Sequence, residues 1–159
     1  MSDAIRVVGM MSGTSMDGID VAEVVTDGIT VQEFGKTAYV PYSEDERQIL
    51  RRAMGQWDGL HVRAAAKLVT RLHARAFAAL DAGAVALIGF HGQTLAHDPD
   101  NRRTLQVGDG VQLARDTGHP VVWDFAARMW PWAGRVRHWR HSFILLVRNI
   151  LGQANLSPA

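Results

Sequence analysis

The feature that most constrains this chain is an apolar run that breaks off into a turn rich in hydroxyl, glycine and carboxylate residues. Ile5 to Met10 reads as a buried strand, and it leads into Met10-Met11-Ser12-Gly13-Thr14-Ser15-Met16-Asp17-Gly18-Ile19-Asp20. Ile19 to Thr26 then reads as a second strand, closed by the hairpin signal Asp27-Gly28. The chain reverses between two strands within a few residues, so its first elements already belong to a sheet. Backbone N–H groups in such a Gly/Ser/Thr turn can converge on a phosphate. The hydroxyls of Ser12, Thr14 and Ser15 add donors. Asp17 or Asp20 suits Mg²⁺, held directly or through water, because that ion takes oxygen ligands and keeps several waters. The same residue types also build ordinary hairpin turns, and no lysine follows the glycines as the Walker pattern requires.

The next segments extend the sheet and then cover it. Thr30 to Val40 is a third extended run stopped by Pro41, which makes an antiparallel meander of three strands. Ser43 and Glu46 form a capping box ahead of Ile49, Leu50, Ala53 and Met54, spaced for one helical face. A second helix from about His61 to Ala82 carries the stripe Val62, Ala65, Ala66, Val69, Leu72, Ala76 and Leu80. Val85 to Phe90 reads as a short buried strand, followed by a polar loop from His91 to near Arg103. Thr104 to Val107 is extended, Val111 to Thr117 a brief helix, and Pro120 to Phe125 a last strand. The expected class is α/β on a mixed sheet.

Two further polar segments sit where α/β sheets place ligands, beyond strand ends. His91-Gly92-Gln93-Thr94 offers His91 and Gln93 as hydrogen-bonding partners for a sugar hydroxyl; its bland alternative is a surface turn. Gln106-Val107-Gly108-Asp109-Gly110 offers Asp109, which either orients a hydroxyl or caps the helix at Val111. The seven histidines show no zinc-ligand spacing.

Composition bounds the rest. A length of 159 residues fits one domain. There is no cysteine, hence no disulfide or thiolate chemistry. The first residues lack the basic start and apolar block of a signal peptide. No apolar run approaches the ~18 residues of a membrane helix, so a cytoplasmic protein without membrane or nucleic-acid partners is expected. Charge is uneven. Residues 1–125 hold 12 Lys and Arg against 16 Asp and Glu, a net of −4. Residues 126–159 hold five arginines, three of the five tryptophans and no acid.

Four segments together resemble the anhydro-N-acetylmuramic acid kinase family: Gly9–Asp20 (GMMSGTSMDGID), Gly89–Thr94 (GFHGQT), Leu105–Gly110 (LQVGDG) and Pro120–Phe125 (PVVWDF). The resemblance covers residues 5–125, in the family's order and spacing. It implies a ribonuclease-H-like domain of the sugar-kinase/actin/heat-shock-protein superfamily, with βββαβ order, here incomplete. It implies ATP and Mg²⁺ as cofactors. The implied reaction phosphorylates the 6-position of 1,6-anhydro-N-acetylmuramic acid while water opens the anhydro ring, in peptidoglycan recycling. It gives Gly13, Thr14, Ser15, Met16, Asp17, Gly18, Ile19 and Asp20 the ATP-phosphate turn, Asp17 and Asp20 the metal, and His91, Gln93 and Asp109 the sugar side. Full-length members are expected to dimerise. The family's catalytic aspartate lies in a DTGPxN-type motif that this sequence lacks, so no catalytic residue is assigned and the chain is expected to be inactive alone.

Beyond Phe125 the resemblance stops, and the tail reads as the family's continuation in the wrong frame. If one base is lost after the Phe125 codon, each intended codon joins the last base of one observed codon to the first two of the next. Met and Trp have single codons, so Met129-Trp130 forces valine, Trp130-Pro131 alanine and Trp132-Ala133 glycine. Those are three residues of the DVAxGG that the family places there. The expectation is a truncated kinase domain over residues 1–125 and an out-of-frame tail over 126–159 with little defined structure. The alternatives are a non-enzymatic nucleotide- or sugar-binding remnant, or a basic, aromatic tail that binds single-stranded nucleic acid or an anionic membrane.

Overall fold

The computed structural model describes residues 4–101 and 103–124; the tail expected from residue 126 onward lies outside them. The order is β1 (Ile5–Ser12), β2 (Gly18–Thr26), β3 (Val31–Pro41), α1 (Glu44–Ala53), α2 (Leu60–Leu80), β4 (Leu87–Asp98), β5 (Arg103–Val107), α3 (Gly110–Thr117) and β6 (Val121–Trp123). The class is α/β with one mixed sheet. β1, β2 and β3 pair antiparallel. β1 then pairs parallel with β4, Val8 opposite Ile88 and Met10 opposite Phe90. β6 pairs parallel with the same stretch of β4, so Leu87–Phe90 lies between two neighbours.

Alternation along the strands sorts the core. Val8, Met10, Ile19, Val21, Ile88 and Phe90 share one cluster with the buried faces of all three helices. Val7 and Leu87 form a second, smaller cluster with Ile5, Val24 and Val122, all from strands. The predicted stripe on α2 is the buried one: Val62, Ala65, Val69, Leu72, Ala76 and Leu80 are inside, with Leu68, Thr70 and His73 beside them. The capping box forms as the sequence requires. Ser43 Oγ accepts from the Glu46 amide at 3.3 Å, and the Ser43 amide donates to Glu46 Oε2 at 2.8 Å.

One sequence expectation is overturned. The segment from His91 onward is not a loop; β4 continues through it to Asp98. The backbone groups of Gln93–Asp98 find partners in β5, and Leu95 is buried there. A hairpin partner satisfies backbone polarity whatever the side chains, so side-chain polarity misled the reading.

His73 is fully buried in α2. Its Nδ1–H donates to the Val69 carbonyl at 2.8 Å, its ring meets Phe90 edge-on at 4.8 Å, and Nε2 has no partner among the described residues. Desolvation first of all, then His91 nearby, lowers its pKa to about 4. The unfolded chain takes up this proton near pH 6.5, while the folded one resists to about 4. Stability is therefore complete above 6.5 and lost as pH falls between those values, by on the order of 3 kcal/mol. His91, also lowered by burial, acts in the same direction. Urea midpoints are expected to drop markedly between pH 7.5 and pH 4.5, and His73→Leu to flatten that slope.

Candidate active site

The turn between β1 and β2 is exposed at its tip and locked at its base. Thr14, Ser15 and Asp17 face solvent, whereas Ser12, Gly18 and Ile19 are buried. The Met16 amide donates to the Gly13 carbonyl at 3.1 Å, and Met16 takes a positive φ of 52°. Ser15 Oγ donates to Asp17 Oδ1 at 2.6 Å, and the Gly18 amide to the same oxygen at 3.2 Å. These bonds, the Ser15 hydroxyl above all, hold the Asp17 carboxyl below its ordinary pKa. Asp17 is thus a formed carboxylate at the exposed tip of the turn. Asp20 lies two residues into β2, exposed, opposite Met11 and Tyr39.

Beneath the tip runs a buried polar chain built from β1, β4 and Tyr42, the residue that follows β3. Tyr42 Oη donates to Ser12 Oγ at 2.7 Å. Ser12 Oγ in turn donates to Gln93 Oε1. Gln93 Nε2 donates to the Gly13 carbonyl at 2.8 Å and to the Thr94 carbonyl at 3.1 Å. Burial pushes the Tyr42 hydroxyl up to about 12, so it remains a donor at any ordinary pH. The Tyr42 amide also donates to the Asp17 carbonyl at 2.9 Å, which ties the far end of the turn to the start of α1.

The remaining predicted residues divide. His91 is half-buried, with Nδ1 3.2 Å from the Gly92 carbonyl, and is kept neutral by burial. Gln93 is wholly buried and both atoms of its carboxamide are engaged. Asp109 caps α3, its Oδ1 accepting from the Gln112 amide at 3.0 Å. The Asp109 amide donates to Thr70 Oγ1 at 2.9 Å, a hydroxyl that itself donates to Ala66 O within α2. Sequence reasoning missed Ser12 as an anchor, and missed Tyr42 and Thr70 altogether. The one available signal for Thr70 was a hydroxyl inside the apolar stripe of α2. Tyr42 gave none, because the partner of its hydroxyl, Ser12, lies 30 residues away.

Among the described residues no group of three or more His, Cys, Asp or Glu converges as a metal cage. The donor set still fits Mg²⁺: two exposed carboxylates leave room for water and phosphate oxygens, the ion's usual partners. Nor is any helix of the described residues long and apolar enough to cross a membrane.

Gly92 lies between the two predicted sugar-side residues with a φ of 75°, and a Cβ there would sit 2.5 Å from the Val107 carbonyl oxygen. Gly83 has nothing within 4 Å. Gly92→Ala is expected to cost about 1–3 kcal/mol through strain and close approach, and Gly83→Ala to leave the urea midpoint nearly unchanged.

Comparison with known proteins follows the same residues. The family model described as anhydro-N-acetylmuramic acid kinase matches residues 5–136. Proteins named anhydro-N-acetylmuramic acid kinase from Roseobacter denitrificans and Ruegeria sp. are 50% and 53% identical over 124 residues, covering 78% of this chain and 32% of each relative. The one from Cereibacter sphaeroides is 51% identical over 123 residues, 77% of this chain and 33% of its own length. The chain therefore spans about a third of the length of the curated relatives it matches. A solved protein of unknown function from Archaeoglobus fulgidus aligns over 92% of this chain and 70% of its own, at 12% identity and a TM-score of 0.30, too distant to inform the fold.

Proposed function

Since the chain belongs to the anhydro-N-acetylmuramic acid kinase family, we propose that residues 5–124 form the ATP-phosphate wall of such a kinase, in a ribonuclease-H-like domain. The observation that carries this is the turn itself. Its hydroxyls and the Asp17 carboxylate are exposed at the tip while its backbone is fixed from below. Phosphoryl transfer asks mainly for positioning and charge neutralisation. A rigid loop of amides and hydroxyls supplies positioning, because binding then requires little reordering. Asp17 and Asp20 would hold Mg²⁺, which when bound neutralises phosphate oxygens. Asp17 suits the task because it is ionised well into acid and already oriented by Ser15.

On this reading the sugar, 1,6-anhydro-N-acetylmuramic acid, lies toward His91, whose ring burial keeps neutral. Asp109 serves there through its placement at the start of α3, and Gln93 by holding the turn. The polypeptide carries no DTGPxN-type motif to activate water, and holding nucleotide and sugar in line takes two walls. The 159-residue chain is therefore assigned binding without turnover.

Residues 126–159 we infer to be read out of frame. The forced valine, alanine and glycine support this, as do the absence of acids and the excess of tryptophan and arginine. The family match runs past that boundary, to residue 136, and does not itself mark it. Sequencing the gene decides it, since inserting one base after the Phe125 codon must open a long frame encoding the family's continuation.

Titration calorimetry tests the function. Mg·ATP is expected to bind the 159-residue chain, and Asp17→Ala to weaken that binding about tenfold, as loss of one charge-assisted contact does. Formation of phosphorylated sugar is expected to be undetectable. No heat with Mg·ATP would remove the phosphate-wall assignment, and turnover by the pure chain would remove the claim of inactivity.

A further inference from the structure

We propose that Gln93 is a positioning residue for the Gly13–Asp17 turn, acting with Ser12 and Tyr42 as one directed hydrogen-bond chain, and is not itself a sugar ligand. The proposal deepens the phosphate-turn reading and rests on it for its meaning in function. The chain itself is a matter of geometry.

The direction of every bond follows from the two carbonyls at its end. Gly13 O and Thr94 O lie 2.8 and 3.1 Å from one end of the Gln93 carboxamide, and both only accept. That end must therefore be the NH₂ group, and its two hydrogens are both used. Oε1 then faces Ser12 Oγ, which has to donate. With its one hydrogen spent, Ser12 can only accept from Tyr42 Oη. No member can be turned round without leaving a buried polar atom unmatched, and such an atom is costly. Ser12 and Gln93 have no exposed surface at all, and Tyr42 very little.

The consequence is a physical link between two motifs 80 residues apart. Gly13 O is the same oxygen that accepts the Met16 amide and closes the turn. Thr94 O belongs to the β4 segment that holds His91. One carboxamide thus sets the spacing between the turn and the segment beside it. A residue wholly buried and fully bonded in this way has no donor left for a ligand.

Amide hydrogen exchange by NMR on the full 159-residue chain tests this without any ligand. The probe is the Met16 amide, and the reference is the β1–β2 ladder around Val8 and Glu23. Gln93→Glu at neutral pH removes both donated hydrogens. Met16 exchange, corrected for intrinsic pH dependence, is expected to rise about tenfold while the ladder is unchanged. Acidification protonates the new carboxyl, restores one donor and slows Met16 exchange relative to the ladder, whereas in the parent chain the His73-linked loss of stability in acid speeds both together. Tyr42→Phe, which removes a single hydroxyl and perturbs folding least, is expected to give a smaller rise at the same amide. Met16 exchange unchanged in both variants, or acceleration of Met16 and ladder together with no recovery in acid, overturns the proposal. Mg·ATP calorimetry on the same samples separates the two readings. If the parent chain gives no heat, the phosphate reading fails, while the exchange data still decide the role of Gln93. If it binds, Gln93→Glu is expected to lose affinity at neutral pH and regain it in acid.

Discussion

The parallel pairing of β1 with β4 is the contact on which the rest depends. It joins Val7–Met10 to Leu87–Phe90 across roughly eighty residues, and both stretches are buried. Loop closure over that distance costs entropy that only a buried, fully paired contact recovers. Helices α1 and α2 follow β2 and β3 in that interval and cover the sheet. The end of β1 and the middle of β4 then come side by side, and Ser12 meets Gln93 there.

Where those strands run out of regular pairing, side chains take over. The register shifts between Met10 and Ser12, and at that shift the buried Ser12 hydroxyl and Gln93 carboxamide supply the missing partners. A fully satisfied buried polar group specifies one geometry, because any slip leaves a donor or acceptor bare. The exposed tip of the turn thereby stands on a fixed base. Thr70 does the same work for Asp109, joining the head of α3 to the middle of α2. Both devices bring a surface loop into register with the core, which is what a site for positioned transfer requires.

Belonging to a kinase family sets these loops in the context of phosphoryl transfer. The chain matches about a third of its relatives' length. The proposal of binding without turnover follows from which chemical groups are present. The proposed phosphate turn and the hydrogen-bonding segment beside it both lie within these 159 residues.

The sequence by itself determined the local elements. Ser43 and Glu46 announced the start of α1, the apolar stripe announced α2, and the Gly/Ser/Thr/Asp turn announced its position between strands. Each of these rests on residues within a few positions of one another, where propensity and periodicity act. It also carried the family, through motifs that survive as strings. Tertiary structure decided the rest. It extended β4 through His91–Asp98, because β5 supplies backbone partners that side-chain polarity does not reveal. It showed Gln93 buried and fully bonded, and it recruited Tyr42, which had no local signal, and Thr70, whose one signal was a hydroxyl inside an apolar stripe. The reason is that a buried polar atom is satisfied by whatever the fold brings beside it, and here that partner is 30 to 80 residues away.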